Sequence, residues 1–226
     1  MKYENIVKGR FLSRPNRFIA KVMIDGKEET VHVKNTGRCR ELLTENATVF
    51  LEKSKNPNRK TAYDLISVIK NDRLINMDSF APNVAVGEFI REGKLFSDLE
   101  FLKSEYTFGN SRFDFYGKHG GKEFFAEVKG VTLEEKGVVR FPDAPTERGI
   151  KHLSELENAV KSGFEAYVIF VVQMKDVSHF EPNYKTHKEF GEALEKAQKN
   201  GVKVLCFDCD VTPESMALRE EVRVCL

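Results

Sequence analysis

The sequence predicts an α/β (α+β) chain in two parts, with residues 1–80 forming a small β-barrel and residues 81–226 an α/β domain around a mixed central sheet. Three observations predict this. Before residue 80, apolar residues recur with period two and turn pairs such as Asp-Gly punctuate the runs. After it, short apolar runs alternate with stretches of helical spacing. The charge divides at the same place: residues 1–80 hold 16 Lys+Arg against 10 Asp+Glu, a net of +6, and the remainder 20 against 25, a net of −5. A basic half of this kind suits a protein that meets a polyanion.

With 226 residues, 41% hydrophobic and 31% charged, the chain suffices for one large soluble domain or two modest ones. The start, MKYENIVKGRF, has no apolar segment behind its positive charges, and no apolar run is long enough to span a bilayer. A cytoplasmic protein is expected. Four cysteines, with Cys39 far from the other three, do not make a disulfide framework. Cys206 and Cys209 form a C-x-x-C inside the apolar run VKVLCFDCDV, and no second Cys/His pair completes a tetrahedral metal set, so they read as buried structural cysteines.

In the first part, RFIAKVMI alternates, DG supplies a turn and EETVHVKNT alternates again, which predicts a hairpin. GRCRELL reads as a short helix. ATVFLEKS, AYDLISVIK and RLINMD follow, the last two joined through ND. Roughly five strands with a short helix between the third and fourth is the order of an OB-type barrel, an architecture that commonly binds oligonucleotides or oligosaccharides. In the second part, NVAVGEFIREGKL carries Val86, Phe89 and Ile90 at helical spacing. SRFDFYGKHGGKEFFAEVKGVTL then reads as a hairpin. A helix capped by Thr146 runs through ERGIKHLSELENAVKS to Gly163, with Ile150, Leu153, Leu156 and Val160 as its buried stripe. AYVIFVVQ is apolar throughout, as a central strand covered on both faces should be. The helix HKEFGEALEKAQKNG and the strand VKVLCFDCDV complete a β/α alternation.

The hairpin raises a chemical question. Side chains alternate along a strand, so Phe125, Glu127 and Lys129 share one face and Phe124, Ala126 and Val128 the other, core-facing one. Asp114 lies on the preceding strand beside Tyr116, with Phe113 and Phe115 opposite, so hairpin pairing could bring its carboxylate near Glu127. Two clustered carboxylates repel and are costly to desolvate unless a cation or hydrogen-bond donors neutralise them. Mg²⁺, or Mn²⁺, is commonly held by one or two carboxylates together with phosphate oxygens. Lys129, about 7 Å further along the same face, is placed to orient a water or to stabilise charge on a phosphate. These parts describe metal-assisted phosphodiester hydrolysis. The same charges would also suit a same-face ion pair on an edge strand, with Asp114 solvated nearby.

Asp, a hairpin-length gap and then Glu-x-Lys on a strand resembles the PD-(D/E)xK nuclease core. More closely, NTGRCREL, NSRFDF, AEVKGVTL and FPDAPTERGIKHLSEL, in this order over most of the chain, resemble the sugar fermentation stimulation protein A (SfsA) family. The resemblance implies an N-terminal OB-like β-barrel, a PD-(D/E)xK nuclease-like α/β domain, DNA binding, and the regulatory role in sugar metabolism proposed for bacterial members. Matched residue by residue, the nuclease pattern puts metal ligation on Asp114 and Glu127 and the catalytic lysine at Lys129. Phe113 stands where the superfamily's name has proline, while the carboxylate is retained.

Glu88, on the helix before the hairpin, and Glu105 are candidate outer metal contacts; a solvated helix face and a surface charge are their plainer readings. Arg148, His152 and Glu155 fall at i, i+4 and i+7 on a polar helix face. The N-terminal end of that helix and Arg148 could receive a phosphate, with His152 beside them as a further catalytic candidate. For nucleic-acid contact the candidates are Lys8, Arg10, Arg14 and Arg17 in KGRFLSRPNRF, Arg38 in GRCREL, and Lys53, Lys55, Arg59 and Lys60 in KSKNPNRK. Phe11 and Phe18 are interleaved with the first group, and Phe18 reads as core from its place in an alternating strand.

The expected function is thus a DNA-binding, Mg²⁺-dependent nuclease. With no helix-turn-helix in the sequence, weak sequence specificity is expected. A non-catalytic DNA-binding regulator on a nuclease-like scaffold is the alternative. Oligosaccharide binding is disfavoured by the few barrel aromatics and the absence of tryptophan.

Overall fold

The computed structural model describes residues 1–35 and 37–226; Thr36, within the NTGRCREL motif, lies outside the described residues. Strands β1 (Ile6–Asn16), β2 (Ile19–Ile24), β3 (Lys27–Val33), β4 (Thr48–Lys53) and β5 (Tyr63–Lys70) form a closed barrel. Its antiparallel pairs β1–β2, β2–β3, β1–β4 and β4–β5 are joined by a short parallel contact between β3 and β5. The DG and ND turns hold Asp25, Gly26, Asn71 and Asp72 at positive φ, the geometry of tight two-residue hairpins.

Two local expectations are corrected. KGRFLSRPN belongs to β1, the first barrel strand, and RLINMD supplies β6 (Arg73–Asn76), a sixth strand outside the closed ring. GRCRELL forms turns rather than a helix. Cys39 sits at a φ of 46°, and the Arg14 guanidinium takes the Asn35, Gly37 and Arg38 carbonyls, so the backbone that would start a helix is committed elsewhere.

The second part begins with α1 (Ala81–Arg91) and the strands β7 (Leu99–Phe108), β8 (Ser111–His119) and β9 (Lys122–Val131). The helices α2 (Glu147–Lys161) and α3 (Lys188–Lys199) alternate with β12 (Glu165–Val172) and β14 (Lys203–Thr212), and β15 (Ser215–Glu221) ends the sheet. Strand order is β15-β14-β12-β9-β8-β7, with β9, β12 and β14 parallel and the remaining pairs antiparallel. A small second sheet joins β10 (Leu133–Glu135), β11 (Val138–Phe141) and β13 (His179–Pro182).

Both faces of the main sheet are covered. Phe125, Val168 and Phe170 pack with Leu153 and Leu156 of α2 and Phe190 and Leu194 of α3. Phe124, Ala126, Val128 and Ile169 pack with Ala85, Val86 and Ile90 of α1. The face that carries Glu127 and Lys129 is therefore interior as well. Cys206 and Cys209 are buried in β14, and burial pushes both thiols far above their ordinary range, which leaves them inert. Among the described residues, no helix is long and apolar enough to cross a membrane.

The barrel meets the second part through hydrogen bonds rather than a loose linker. Asn76 N–H donates to the Gln173 carbonyl at 2.9 Å, and Gln173 Nε2 donates to Asn76 Oδ1 and to the Asp78 carbonyl. Lys70 Nζ donates to the Glu134 carbonyl at 2.6 Å. Tyr3 joins the same junction: its Oη accepts from Asn76 Nδ2 at 2.9 Å and its N–H donates to the Glu214 carbonyl at 2.8 Å.

At the start of β12, the Glu165 carboxylate accepts from Tyr167 Oη at 2.5 Å and Lys203 Nζ at 2.9 Å, with His119 Nε2 at 3.1 Å. Burial alone would raise its pKa, but these partners outweigh it and bring the group down to about 2. A lowered carboxylate pKa stabilises the fold above the ordinary value of 4.5, and that contribution is lost as pH falls towards 2. Glu165→Gln is expected to cost about 1–3 kcal/mol near neutral pH. Urea unfolding across pH should show the gap to the parent closing between about pH 4.5 and pH 2.

Candidate active site

The site is built where β8 and β9 part. The pair runs from His119↔Lys122 to Phe115↔Ala126 and goes no further. Beyond that point the Val128 N–H donates to Asp114 Oδ2 at 2.7 Å, so a side-chain carboxylate takes a bond that a backbone carbonyl would take in a continued ladder. Asn83 Nδ2 of α1 donates to Asp114 Oδ1 at 2.7 Å. Burial, and then the neighbouring Glu127 charge, raise the Asp114 pKa above the usual carboxylate range despite these donors.

Glu127 is 4% exposed. Its Oε1 accepts from Lys129 Nζ at 2.6 Å and from His152 Nδ1, while Oε2 is buried and has no partner among the described residues. Burial would raise this group, but His152 and Lys129 outweigh it and hold the carboxyl below its ordinary range. His152 is presented by α2, whose N-terminus is fixed by Thr146 Oγ1 accepting from Gly149 N–H at 3.1 Å. Arg148 Nε lies 3.3 Å from His152 Nε2. A guanidinium only donates, so Nε2 accepts and the ring proton sits on Nδ1, directed at Glu127.

Asp114, Glu127, Lys129, Arg148 and His152 are thereby brought together from β8, β9 and α2. Glu88 is not. Its carboxylate meets the Met1 amino group at 2.5 Å, because it lies five residues beyond Asn83 and so about 140° around the helix from it. Glu105 is exposed and pairs with Arg112 at 3.5 Å. Asn83 is the residue that sequence reasoning missed; its only signal was a polar side chain in the first turn of an apolar helix. Among the described residues, no group of three or more His, Cys, Asp or Glu side chains is arranged to hold a metal ion.

A cleft of about 320 Å³ opens beside the site, lined by Asn35 and Ser79 from the barrel side and by Gly130, Thr132, Thr146 and Gln173. The basic candidates divide between the two ends of the barrel. Arg14, Arg17 and Arg38 lie at the β1–β2 hairpin end, next to Asn35 and Gly37 of the cleft wall. Lys53, Lys55, Arg59 and Lys60 lie at the other end, where β1 begins. Several cations are already engaged: Arg14 by four backbone carbonyls, Arg59 by both oxygens of Asp64, Lys55 by Glu4 and Arg10 by Asn46. Lys8, Arg17, Arg38, Lys53 and Lys60 are exposed and make no ion pair among the described residues. Phe18 reverses expectation. Phe11 is core, whereas Phe18 is 45% exposed at the hairpin end with Arg17 4.7 Å from its ring centre. Phe18 lies past the last inward-facing position of β1 and before β2 begins, where no barrel wall covers it.

Two family models match this chain. The SfsA N-terminal OB domain matches residues 12–77, and the sugar fermentation stimulation protein RE domain matches residues 80–215. The chain belongs to the SfsA family. A sugar fermentation stimulation protein homolog of Clostridium beijerinckii is 58% identical over 226 residues, covering 100% of both chains. One from Desulfitobacterium hafniense is 60% identical over 224 residues, covering 99% of this chain and 98% of its own. Pyrococcus furiosus SfsA, solved in complex with Ca²⁺, has a TM-score of 0.90 at 26% identity, covering 100% of this chain and 98% of that one. The barrel and the mixed sheet are thus the SfsA architecture.

Proposed function

We propose that this SfsA-family chain is a DNA-binding nuclease that hydrolyses phosphodiester bonds with a divalent cation, Mg²⁺ or Mn²⁺. The observation that carries the reading is Glu127, a buried carboxylate with one oxygen tied to Lys129 and His152 and the other without a partner among the described residues, beside Asp114. A buried charged oxygen without a donor is costly, and a hard cation would satisfy it. The donor set fits: Asp114 and Glu127 would hold the ion, and two carboxylates suit a cation that keeps its other positions for water and phosphate oxygens. The Ca²⁺ complex of the Pyrococcus furiosus relative supports a hard, oxygen-seeking cation in this architecture.

Held by Asp114 and Glu127, such a cation would supply positive charge to the phosphate and would activate water. Lys129 Nζ, 2.6 Å from Glu127, stabilises charge developing on the phosphate. The α2 N-terminus and the Arg148 guanidinium receive a phosphate oxygen, since both present donors. His152 keeps Glu127 seated through Nδ1. Arg17 and Arg38 steer the backbone into the cleft without reading sequence. Incubating the protein with labelled single-stranded DNA, duplex DNA and RNA in Mg²⁺, Mn²⁺ or EDTA tests the reading. Metal-dependent cleavage of DNA is expected. Binding without cleavage in every condition would replace it with the non-catalytic regulator, and neither binding nor cleavage would remove DNA as the ligand.

A further inference from the structure

Phe80 is 70% exposed, the most exposed large apolar side chain among the described residues, and Val84 is 44% exposed. Phe80 caps α1 and Val84 follows one turn later, so both stand on the same helix face. The surrounding residues place this step at the site. Asn83, between them, holds Asp114 at 2.7 Å. Ser79, on the other side, lines the cleft with Gly130, the residue after Lys129. A Cβ added to Gly130 would stand 3.0 Å from Pro82 Cγ, so the first turn of α1 lies directly against β9 where the catalytic lysine sits. An aromatic ring is thus left in solvent at the rim of a polar cleft, beside carboxylates and cations arranged for a phosphodiester.

We infer that Phe80 is a stacking platform for an unpaired base, so that the strand delivered to Asp114, Glu127 and Lys129 is single-stranded at that point. The inference rests on the nuclease reading for the position of the phosphate. A base pair within an intact duplex presents no free ring face to a protein side chain, whereas an unpaired base does, and aromatic stacking is indifferent to base identity. The cleft beside the ring leaves room for the adjoining nucleotide, with Thr132 and the Gln173 side-chain carbonyl oxygen in its wall as polar partners. Charge complementarity supports the same occupant: Arg38 follows Gly37 in the cleft wall, and the Arg14 guanidinium ties in the hairpin bearing Arg17 and exposed Phe18.

The test is fluorescence anisotropy with labelled oligodeoxythymidylate and with a duplex of equal length, in Ca²⁺, for the parent, Phe80→Ala and Phe80→Trp. Phe80→Ala is expected to weaken single-strand binding roughly 5- to 100-fold with little change for the duplex, and Phe80→Trp to restore it. Because the ring is largely in solvent, neither variant should lose thermal stability. A parent that fails to bind the single strand overturns the inference. So does equal binding by Phe80→Ala and the parent, or equal weakening for both nucleic acids. A shift in oligomeric state on gel filtration in place of a binding change would assign the step to a second copy of the chain and overturn it as well. Cleavage assays are read separately: Phe80-dependent single-strand binding without cleavage keeps this inference and removes hydrolysis, while cleavage indifferent to Phe80 does the reverse.

Discussion

Lys129→Ala is expected to lower metal-dependent DNA cleavage by roughly 10²- to 10³-fold, the usual loss when one preorganised charge is withdrawn from a developing anion. The rest of the site should survive. His152 Nδ1 still donates to Glu127 Oε1, and Asp114 keeps its bonds from Asn83 and Val128. Affinity for DNA in Ca²⁺ should therefore change much less than the single-turnover rate at saturating DNA. That split separates a residue acting in the transition state from one that merely attracts the backbone, which would raise the concentration needed without lowering the saturated rate. An unchanged saturated rate would exclude Lys129 from the chemistry.

Glu127→Ala is expected to be the most destabilising change at the site, about 3–5 kcal/mol, because it strands the Lys129 ammonium and the His152 Nδ1–H without their acceptor in a buried setting. Glu127→Gln should cost less, since an amide oxygen still accepts from His152. The two variants also separate structure from ligation. In the parent, added Mg²⁺ should raise the melting temperature by mass action; in Glu127→Gln the rise should vanish even though the fold persists. A magnesium-dependent shift of equal size in both proteins would place the cation elsewhere. Urea unfolding gives the stability differences, and melting curves with and without Mg²⁺ give the second comparison.

Local pattern carried much of the fold. The DG and ND turns, the Thr146 cap, the apolar run of β12 and the helix before the hairpin all stand where periodicity and capping chemistry put them. What failed depended on distant partners. The alternation of β1 is broken by register shifts between Phe11 and Ser13 and between Ser13 and Asn16, so no clean period marks it as a strand. GRCRELL is kept from helix by Arg14, more than twenty residues earlier. At the site, Asp114, Glu127 and Lys129 were legible as charges on two strands that otherwise read as interior. The Asn83 bond to Asp114 and the departure of Glu88 were not, because each depends on how α1 is rotated against the sheet, a quantity fixed by packing rather than by its own sequence. Phe80 was silent for the same reason: one aromatic residue before a helix looks alike whether it is covered or bare.

The bond between Tyr3 and Glu214 has a consequence for the newborn chain. Tyr3 leaves the ribosome more than two hundred residues before its partner, roughly 10–40 s earlier at ordinary elongation rates. The barrel closes through contacts within its own first seventy residues and need not wait, and the segment that precedes β1 is already held by it, with Asn5 accepting from the Lys53 N–H, Glu4 N–H donating to Glu52 and Tyr3 Oη accepting from Asn76; only the Tyr3 N–H must wait. During that interval residues 3–5 rest on the barrel with the Tyr3 N–H still lacking its acceptor, which the β14–β15 turn supplies only much later.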